Sequence, residues 1–494
     1  MAPDWTQIAL NPETTAKDWY QVVRSLPMPV LLESGTRSAG RYDVVTAMPS
    51  CKIILEPDDP QQDHPFGFKL KTEFYNRKPG NIQSPLSENP LQVVDQLLDF
   101  FRPNSSQPFP DCFCGGALGY IAYEAGLPIQ KVRPSAKERL GMPLFIWGIY
   151  EWTLLIDKAS CESWLLISPD MEPGRQQDIL QLITHAGSGH ARQADTHQSK
   201  IVNYPANHFR SLEKPVSNMD FNEYAALFQK IRDYILAGDS YQVNLARRYS
   251  VLFDGDPFGL YESVLNTHQS PFSAYMDFND FHILSFSPER FIRVENSTVT
   301  TQPIKGTRPR GKLKEEDEQL ALDLLNSEKD QAENLMIVDL LRNDLGKCCE
   351  PGSIGVTELR KLKSFDNVHH LVSTVTGRLA SDMTPLQLLW QCFPGGSITG
   401  APKRRTMQII EELEPCSREV YCGTLAYCSF NGLLDSSIAI RTIISANNRF
   451  YFWGGGGLVS DSIVEDEFRE TEDKISFIQS ALSDALSKKE RNSE

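Results

Sequence analysis

The sequence lacks the features of secreted, membrane-spanning and nucleic-acid-binding proteins. Its 49 basic residues against 64 acidic ones give a formal net charge of −15. Nucleic acids and anionic membranes both favour basic patches, so neither is expected as a partner. The opening residues, MAPDWTQIALNPET, have no basic stretch followed by an apolar core, and we expect no signal peptide. The most apolar run, residues 144–156, is interrupted by Glu151 and is too short to cross a bilayer.

Cysteine pairs at metal-binding spacing are also absent. The ten cysteines are scattered, apart from two near-pairs at 112/114 and 348/349. Neither near-pair has a second pair at zinc-ribbon spacing. Together with the missing secretion signal, this predicts reduced thiols in a cytoplasmic protein.

The remaining composition is that of an ordinary globular protein, with 40% hydrophobic and 23% charged residues in 494. The polar segment GSGHARQADTHQSK lacks periodicity and predicts a surface linker. We therefore expect an N-terminal companion domain over 1–186, a linker over 187–212, a second domain over 213–485 and a frayed tail over 486–494.

The second domain alternates between strand and helix signals. Asp220 and Glu223 have capping-box spacing and predict a helix that ends near Gly238. Strands are predicted over 241–252 and 281–287, a hairpin turns at 296–297, and helices are expected over 315–341, after Pro402 and from about Glu465. Hairpin strands beside segregated helices predict α+β layers.

Lys305 lies at the end of an apolar strand, beside a glycine, in the block PIKGTRPRG. Burial lowers the pKa of a lysine and frees its amine as a nucleophile. The alternative is a strand-end lysine that extends into solvent. If the hairpin loop has three residues, 296–298, Glu289 faces Lys305 across the sheet, whereas a two-residue loop puts them on opposite faces. A carboxyl group facing an amine suits general acid–base catalysis.

Glu467, Glu470 and Lys474 are spaced i, i+3 and i+7, which places them on one face of a helix. Two carboxylates with room for water and substrate oxygens commonly hold Mg²⁺. The alternative is a solvated face with a Glu470–Lys474 ion pair, which the spacing alone favours. Glu333, on the long predicted helix, is a candidate third ligand.

Two glycine-rich segments are candidate anion sites. PGGSITGAPKRR, residues 394–405, leads into a helix, where free N–H groups and the helix dipole favour an anion. Its spacing is not that of a Walker loop, so nucleotide binding is not predicted. The glycines at 454–457 could bring backbone amides to a carboxylate or simply form a tight turn.

These blocks resemble those of the chorismate-utilising enzymes, a family that includes anthranilate synthase component I, isochorismate synthases and aminodeoxychorismate synthase component I. The resemblance is strongest over residues 221–475, through GDSYQVNLARR, SFSPERF, PIKGTRPRG, AENLMIVDLLRNDLG, HHLVSTVTG, PGGSITGAPKRR, IAIRT, GGGGLVSDS and EFRETEDK. The N-terminal part resembles the family's companion domain through LLES and GGALGY. The resemblance implies a large layered α+β fold, with antiparallel sheets packed face to face and flanking helices.

Position 305 separates activities within that family. Anthranilate synthases carry Pro-Ile-Ala-Gly-Thr, whereas aminodeoxychorismate synthases carry Pro-Ile-Lys-Gly-Thr, as in this sequence. The resemblance implies that Lys305 attacks C2 of chorismate while the C4 hydroxyl leaves with help from Glu289. Ammonia then attacks C4 and releases the lysine. The expected product is 4-amino-4-deoxychorismate, on the route to p-aminobenzoate and folate.

The resemblance also implies ligand contacts. Glu333 and Glu470 would hold Mg²⁺ on the ring carboxylate of the substrate, with Glu467 close by. The implied substrate contacts are His370, Thr399, Gly400, Tyr427, Arg441, Gly456, Gly457 and Lys474. Some relatives bind tryptophan, and the candidate residues for that site here are Ser34, Pro271 and Phe272.

Ammonia is expected from a separate subunit. The sequence has no Gly-x-Cys-x-Gly turn with a downstream His-x-Glu, which a cysteine amidotransferase needs. The resemblance implies that this separate subunit is a glutaminase, aminodeoxychorismate synthase component II. Two alternatives stay open at this point: anthranilate synthase component I, against which Lys305 argues, and a non-catalytic subunit that senses chorismate or tryptophan.

Overall fold

The computed structural model describes residues 4–36, 40–57, 68–80, 89–135, 137–187, 209–365 and 368–491. The strands before residue 188 are β1 (Thr6–Leu10), β2 (Val30–Glu33), β3 (Tyr42–Thr46), β4 (Cys51–Pro57), β5 (Phe68–Phe74), β6 (Gly116–Ile121), β7 (Phe145–Tyr150), β8 (Trp152–Asp157) and β9 (Glu162–Ile167). The later strands are β10 (Phe209–Ser211), β11 (Val216–Ser217), β12 (Gln242–Gly255), β13 (Phe272–Asp277), β14 (Phe281–Ser287), β15 (Arg290–Glu295), β16 (Thr298–Thr301), β17 (Ile304–Pro309), β18 (Gly355–Ser364), β19 (Val368–Arg378), β20 (Gly400–Ala401), β21 (Thr424–Ser429), β22 (Leu434–Ile438), β23 (Thr442–Ala446) and β24 (Arg449–Leu458).

The helices cover the strands from outside. They are α1 (Ala16–Val23), α2 (Leu91–Phe101), α3 (Gly126–Ile129), α4 (Pro173–Gly187), α5 (Phe221–Leu236), α6 (Pro257–Leu265), α7 (Lys314–Asn326), α8 (Glu328–Leu345), α9 (Pro385–Cys392), α10 (Lys403–Leu413), α11 (Val464–Asp473) and α12 (Ser476–Arg491). The predicted capping box of α5 is present, because the Asp220 carboxylate accepts from Glu223 N and the Glu223 carboxylate accepts from Asp220 N, both at 2.9 Å. None of the described helices combines the length and apolar composition needed to cross a membrane.

Two antiparallel sheets run through both halves of the chain. The first has the order β1-β9-β8-β3-β2-β13-β14-β23-β24-β12-β10, with β11 and β20 also against β12. The second has the order β17-β19-β16-β15-β22-β21-β6-β7-β4-β5, with β18 against β19. Strand β2 pairs with β13, and β6 pairs with β21, so N-terminal and C-terminal strands share both sheets. The two sheets therefore join the N-terminal and C-terminal halves, and the domain boundaries expected from the sequence stay predictions.

The hydrophobic core has two layers. One cluster contains residues of both sheets, such as Leu245 on β12 and Trp147 on β7, so the sheets pack face to face. A second cluster joins the first sheet to α1, α4, α6 and α12, through residues such as Trp19, Phe258 and Ile478. The predicted α+β architecture of stacked antiparallel sheets with flanking helices is confirmed.

The hairpin between β15 and β16 turns in two residues, not three. Its register pairs Val294 with Val299, and both turn residues have positive φ, 49° at position 296 and 61° at position 297. Positive φ at both positions is typical of a type I′ hairpin turn. The three-residue register that would have placed Glu289 opposite Lys305 is therefore wrong, and β17, which carries Lys305, pairs with β19.

Other predicted boundaries also shift. The long helix divides into α7 and α8 at Ser327, whose hydroxyl accepts from Asp330 N at 3.3 Å and so caps α8. Most of the predicted linker, residues 188–208, lies outside the described residues, while its last part forms β10 against β12. Helix α12 continues to Arg491 through the predicted frayed tail, and residues 492–494 lie outside the description.

Candidate active site

Lys305 and Glu289 meet although they are not cross-strand neighbours. Glu289 lies in the connection between β14 and β15, and Lys305 lies near the start of β17. The Lys305 ammonium approaches the Ser397 carbonyl oxygen at 3.5 Å, while the Glu289 carboxyl interacts with both the Ser397 hydroxyl and the Lys305 charge. The loop before α10 thus joins the two predicted catalytic residues in one site.

Burial raises the pKa of the Glu289 carboxyl to about 7, although the Ser397 hydroxyl and the Lys305 ammonium favour its charged form. The residue is 6% exposed. A carboxyl that titrates near neutrality can both give and accept a proton there. The site therefore combines an amine with a group suited to acid–base catalysis.

Two of the predicted metal ligands lie on α11. Glu467 is 3% exposed, and its Oε1 accepts from Ser462 Oγ at 2.6 Å and from Lys329 Nζ at 3.3 Å. Glu470 forms the i, i+4 pair that the spacing suggested, with Lys474 Nζ 2.6 Å from its Oε1. Both carboxylates are thus partnered by lysines in this structure.

Glu333 faces these groups from α8. Burial raises its pKa, opposed by the charges of Lys305 and Lys329 and reinforced by that of Glu467. The pKa of Glu470, in contrast, is lowered, chiefly by the charge of Lys474. Helices α8 and α11 therefore bring three acidic side chains to the neighbourhood of Lys305.

Four consecutive glycines, at 454–457, bring α11 close to β24. They lie within the strand and pair with residues 244–247 of β12, which excludes a tight turn at this point. A Cβ at Gly454 would lie 2.0 Å from the Thr471 carbonyl oxygen. A Cβ at Gly456 would lie 3.1 Å from Glu467 Oε2 and 3.6 Å from Glu470 Oε1. The glycines therefore let both carboxylates approach the strand.

The three glutamates offer the hard oxygen ligands that Mg²⁺ prefers. Glu467 Oε2 and Glu470 Oε1 lie near a common point beside Gly456. Nevertheless, across the described ranges no three His, Cys, Asp or Glu side chains are grouped closely enough to hold a metal ion as placed. The donor chemistry fits Mg²⁺, but the carboxylates would have to exchange their lysine partners for the ion.

A cavity of about 240 Å³ lies next to Glu289, and its lining includes Pro288, His268, His370 and Arg441. Arg441 contacts His268 Nε2 at 3.3 Å, and among the described residues it forms no ion pair with a carboxylate. Burial lowers the pKa of its guanidinium to about 10. A cation without a carboxylate partner among the described residues favours an anionic ligand group.

His370 contributes a neutral ring to the same cavity. Burial, aided by the charge of Arg441, lowers its pKa to about 4. Its Nδ1 lies 2.9 Å from Thr307 Oγ1. At neutral pH the ring can therefore bond a ligand without adding charge.

Lys474, Thr399 and Gly400 border the site in different ways. The Lys474 ammonium donates to the Gly455 carbonyl at 2.9 Å. Thr399 is fully buried and donates to the Gly395 carbonyl at 3.1 Å. Gly400 has a φ of 124°, and a Cβ there would lie 2.1 Å from a carbonyl oxygen of β12. Thr399 and Gly400 therefore shape the loop, whereas Lys474 presents a charge.

Tyr427 lies elsewhere. It lines a second cavity of about 270 Å³ together with Ser34, Pro271 and Phe272, and its ring packs on Phe113 with centroids 5.4 Å apart. The structure thus groups Tyr427 with the tryptophan-site candidates and not with Lys305.

Four neighbours of the site were missed in the sequence. The hydroxyl of Tyr421 would lie 2.8 Å from a Cβ at Gly455. Gln242 is 2% exposed, and neither of its amide atoms has a hydrogen-bond partner within the described residues. Ser397 and Gln242 stand inside blocks already noted, and Lys329 lies four residues before Glu333, so their spacing could have indicated them. Tyr421 carried no such signal.

Two stacked antiparallel sheets carry a lysine, a carboxyl that titrates near neutrality, three glutamates and an arginine without an ion pair among the described residues. This set is typical of an enzyme active site. Residues 50–480 match the family model for chorismate binding enzymes, and the chain belongs to this family.

Relatives cover nearly the whole chain. Aminodeoxychorismate synthase component 1 of Escherichia coli (strain K12) is 37% identical over 474 residues, which is 95% of this chain and 96% of the relative. Anthranilate synthase component 1 of Synechocystis sp. is 33% identical over 517 residues, covering 97% and 96% of the two chains. The crystal structure of anthranilate synthase component I from Streptococcus pneumoniae TIGR4 has a TM-score of 0.72 and 29% identity, covering 89% of this chain and 92% of that one.

Proposed function

We propose that the chain aminates chorismate at C4 with ammonia, giving 4-amino-4-deoxychorismate through a covalent intermediate on Lys305. The observation that carries the proposal is the approach of Lys305 to the buried Glu289, whose pKa lies at about 7. A relative of 37% identity named aminodeoxychorismate synthase component 1 supports the same activity. A lysine in this place supplies a nucleophile that an alanine cannot.

The first chemical step uses both members of the pair. Transfer of one proton from Lys305 to Glu289 produces a free amine and a carboxylic acid together. The amine bonds to C2 while the C4–oxygen bond breaks and the two ring double bonds shift. Glu289 protonates the departing hydroxyl, which leaves as water, and the lysine is held as a secondary ammonium.

The second step reverses the shift. Ammonia bonds to C4, the C2–nitrogen bond breaks, and Lys305 leaves as a neutral amine. The Glu289 carboxylate then accepts a proton from the new C4 ammonium group. Return of this proton from Glu289 to Lys305 restores the starting carboxylate and ammonium. The sum is the exchange of a hydroxyl for an amine with release of one water.

Substrate binding uses charges on two sides of the site. Arg441 receives one carboxylate of chorismate, with His370 beside it, and Lys474 and the amides at 456–457 border the other. Glu333, Glu467 and Glu470 would hold Mg²⁺, which would neutralise the ring carboxylate when bound. The hard oxygen donors and their closeness to Gly456 support this assignment.

Ammonia comes from a separate glutaminase, aminodeoxychorismate synthase component II. The relatives' designation as component 1 supports a partner of this kind. The product then feeds p-aminobenzoate and folate synthesis in the cytoplasm.

The 270 Å³ cavity favours a second property, the binding of tryptophan. Its wall includes Ser34, Pro271 and Phe272, and Arg290 lies over the Phe272 ring with its guanidinium carbon 5.1 Å from the centroid. Calorimetric titration with tryptophan should show one site per chain. Tyr427→Ala should weaken that binding without lowering chorismate affinity, and an equal loss of both would contradict two separate sites.

The covalent step is tested by mixing the purified chain with chorismate and Mg²⁺ in the absence of ammonia. Intact-protein mass spectrometry should show an adduct of chorismate less one water, located on Lys305 by peptide analysis. Lys305→Ala should show no adduct, while Lys312→Ala, in the same segment, should behave as wild type. An adduct on another residue, or amination by Lys305→Ala at the normal rate, would remove the covalent role.

A further inference from the structure

Lys329 lies among the three predicted metal ligands. Its ammonium is 3.3 Å from Glu467 Oε1, and its charge also interacts with Glu333 and Glu470. Lys305, which the proposed chemistry uses, interacts with Glu333 and Glu470, and Lys474 pairs with Glu470. The Lys329 charge thus lies in the neighbourhood where a divalent cation would be held.

Helix geometry produces this arrangement. Lys329 and Glu333 are four residues apart on α8 and share the face that meets α11. The Glu467 side chain is only 4% exposed, whereas that of Lys329 is 45% exposed. The carboxylate is therefore fixed inside the protein, while the ammonium can move into water at little cost in burial.

We propose that the Lys329 ammonium is a built-in counter-cation for the Glu333, Glu467 and Glu470 carboxylates, and that a divalent cation must displace it to bind. This inference rests on the metal site of the proposed function. It explains why suitable donors are present while no three described His, Cys, Asp or Glu side chains stand in a metal-binding arrangement. Glu467 and Glu470 are each paired with a lysine ammonium where a metal ion would otherwise bind.

A counter-cation of this kind has a physical reason. A buried carboxylate that loses its only positive neighbour is strongly destabilising, so the metal-free protein needs a cation beside Glu467. When a divalent ion replaces the ammonium, the net charge of the carboxylate cluster becomes more positive by one. The loaded site then attracts a dianionic substrate better than the empty one, which orders binding as metal first and substrate second.

The test is the affinity of the substrate-free chain for Mg²⁺, measured by calorimetry at constant ionic strength. Lys329→Met keeps the length of the side chain and removes its charge. Its Mg²⁺ dissociation constant should fall on the order of tenfold, the change expected if the ammonium holds the site about nine-tenths of the time. Lys329→Arg, which keeps the charge, should bind Mg²⁺ much as wild type does.

Lys347, which follows the end of α8, provides a matched control because it pairs with a buried carboxylate of that helix. It pairs with the buried Asp344 at 2.9 Å, with side-chain exposures of 41% and 2%, close to the 45% and 4% of the Lys329–Glu467 pair. Lys347→Met should leave Mg²⁺ affinity unchanged. A comparable gain in this variant would show that the loss of any such lysine charge has the effect, and would overturn the specific role of Lys329.

A wild-type measurement covers the case in which Lys329→Met does not fold. Labelling with an amine-reactive reagent, followed by peptide mass spectrometry, should modify Lys329 faster after Mg²⁺ is added, with Lys347 unchanged. Equal Mg²⁺ affinity of wild type and a folded Lys329→Met, or unchanged labelling, would overturn the displacement while leaving the metal site intact. Failure of both proteins to bind Mg²⁺ would overturn the metal assignment itself, yet the covalent adduct on Lys305 would still be tested separately.

Discussion

Enclosure determines the chemistry of individual residues in this site. Burial moves the pKa of the Glu289 carboxyl up to about 7 and that of the Arg441 guanidinium down to about 10. Both shifts come from the loss of water around a charge. The first makes an acid usable at neutral pH, and the second leaves a cation in need of an anionic ligand.

Glu289→Gln should separate stability from activity. The folded-state pKa of about 7 lies above the ordinary 4.5, so between these values the folded chain binds more protons than the unfolded one and loses stability as pH rises. Above pH 7 the full cost is present, up to roughly 3 kcal/mol for this shift. A glutamine side chain is neutral at every pH, so Glu289→Gln does not carry the free-energy cost of a buried negative charge. Thermal unfolding should therefore favour the variant more at pH 8 than at pH 5, while its amination activity is lost.

A matched variant strengthens that comparison. Glu295→Gln changes a partly exposed carboxylate on the adjoining strand, and its stability relative to wild type should show no such rise between pH 5 and pH 8. If Glu289→Gln also gained nothing over that range, the carboxyl would be ionised without cost and could not be the acid of the first step.

The identities of the candidate site residues were easier to predict from the sequence than their arrangement. The blocks around Lys305, Glu289 and Glu467 stand out by residue type, and the structure places the three in one region. Their mutual arrangement was not predictable. The three-residue hairpin register is wrong by one residue. Lys305 and Glu289 meet because β17 pairs with β19 and the loop at Ser397 contacts both side chains.

Among the elements, β24 and α11 have the closest contact near the predicted metal ligands. The glycine run allows α11 to lie directly on β24. Gly454 and Gly456 have different neighbours on that helix. Gly454 faces the helix backbone, whereas Gly456 faces the two carboxylates.

Alanine at these two positions should give different outcomes. Gly454→Ala puts a Cβ 2.0 Å from the Thr471 carbonyl oxygen, so the helix must move, and we expect a stability loss of about 1–3 kcal/mol. Gly456→Ala meets only side-chain oxygens, at 3.1 and 3.6 Å. It should remain close to wild type in stability but bind Mg²⁺ more weakly. Denaturant unfolding and Mg²⁺ titration measure the two effects.

Gly355→Ala is the control, because that strand glycine has no neighbouring atom within 4 Å of a Cβ. It should cause neither loss. If Gly456→Ala bound Mg²⁺ with wild-type affinity, the ion would lie away from this part of β24.

Local sequence patterns predicted helices and strands better than the boundaries between them. The capping box of α5 and the strand β14 follow from the sequence. The break between α7 and α8 depends on one serine cap, and the sequence alone gives it little weight within a continuous helical pattern. The sequence of the glycine run is compatible with both a turn and a strand. The strand forms here because α11, from a later segment, packs closely against it.

At the level of the whole molecule, both sheets extend across the two halves of the chain. Strand β2 pairs with β13 although some 240 residues separate them, and no local pattern specifies such a pairing. Layer type and fold class were predictable from hairpins and helices, and family resemblance supplied the stacking of the sheets. The strand order, and hence the shared core, was not.

The isolated chain should depend on supplied ammonia. With chorismate, Mg²⁺ and glutamine alone it should form no product, because the sequence has no cysteine amidotransferase motif. An ammonium salt should restore turnover, and so should glutamine together with component II. Turnover with glutamine by the pure chain would contradict the need for a partner.

The most direct measurement of the central claim is mass-spectrometric identification of the product after the purified chain is mixed with chorismate, Mg²⁺ and an ammonium salt at mildly alkaline pH. Wild type should form 4-amino-4-deoxychorismate, and Lys305→Ala should form none. Anthranilate as the main wild-type product would contradict that claim, because ammonia would then reach C2 directly and Lys305 would not direct the reaction.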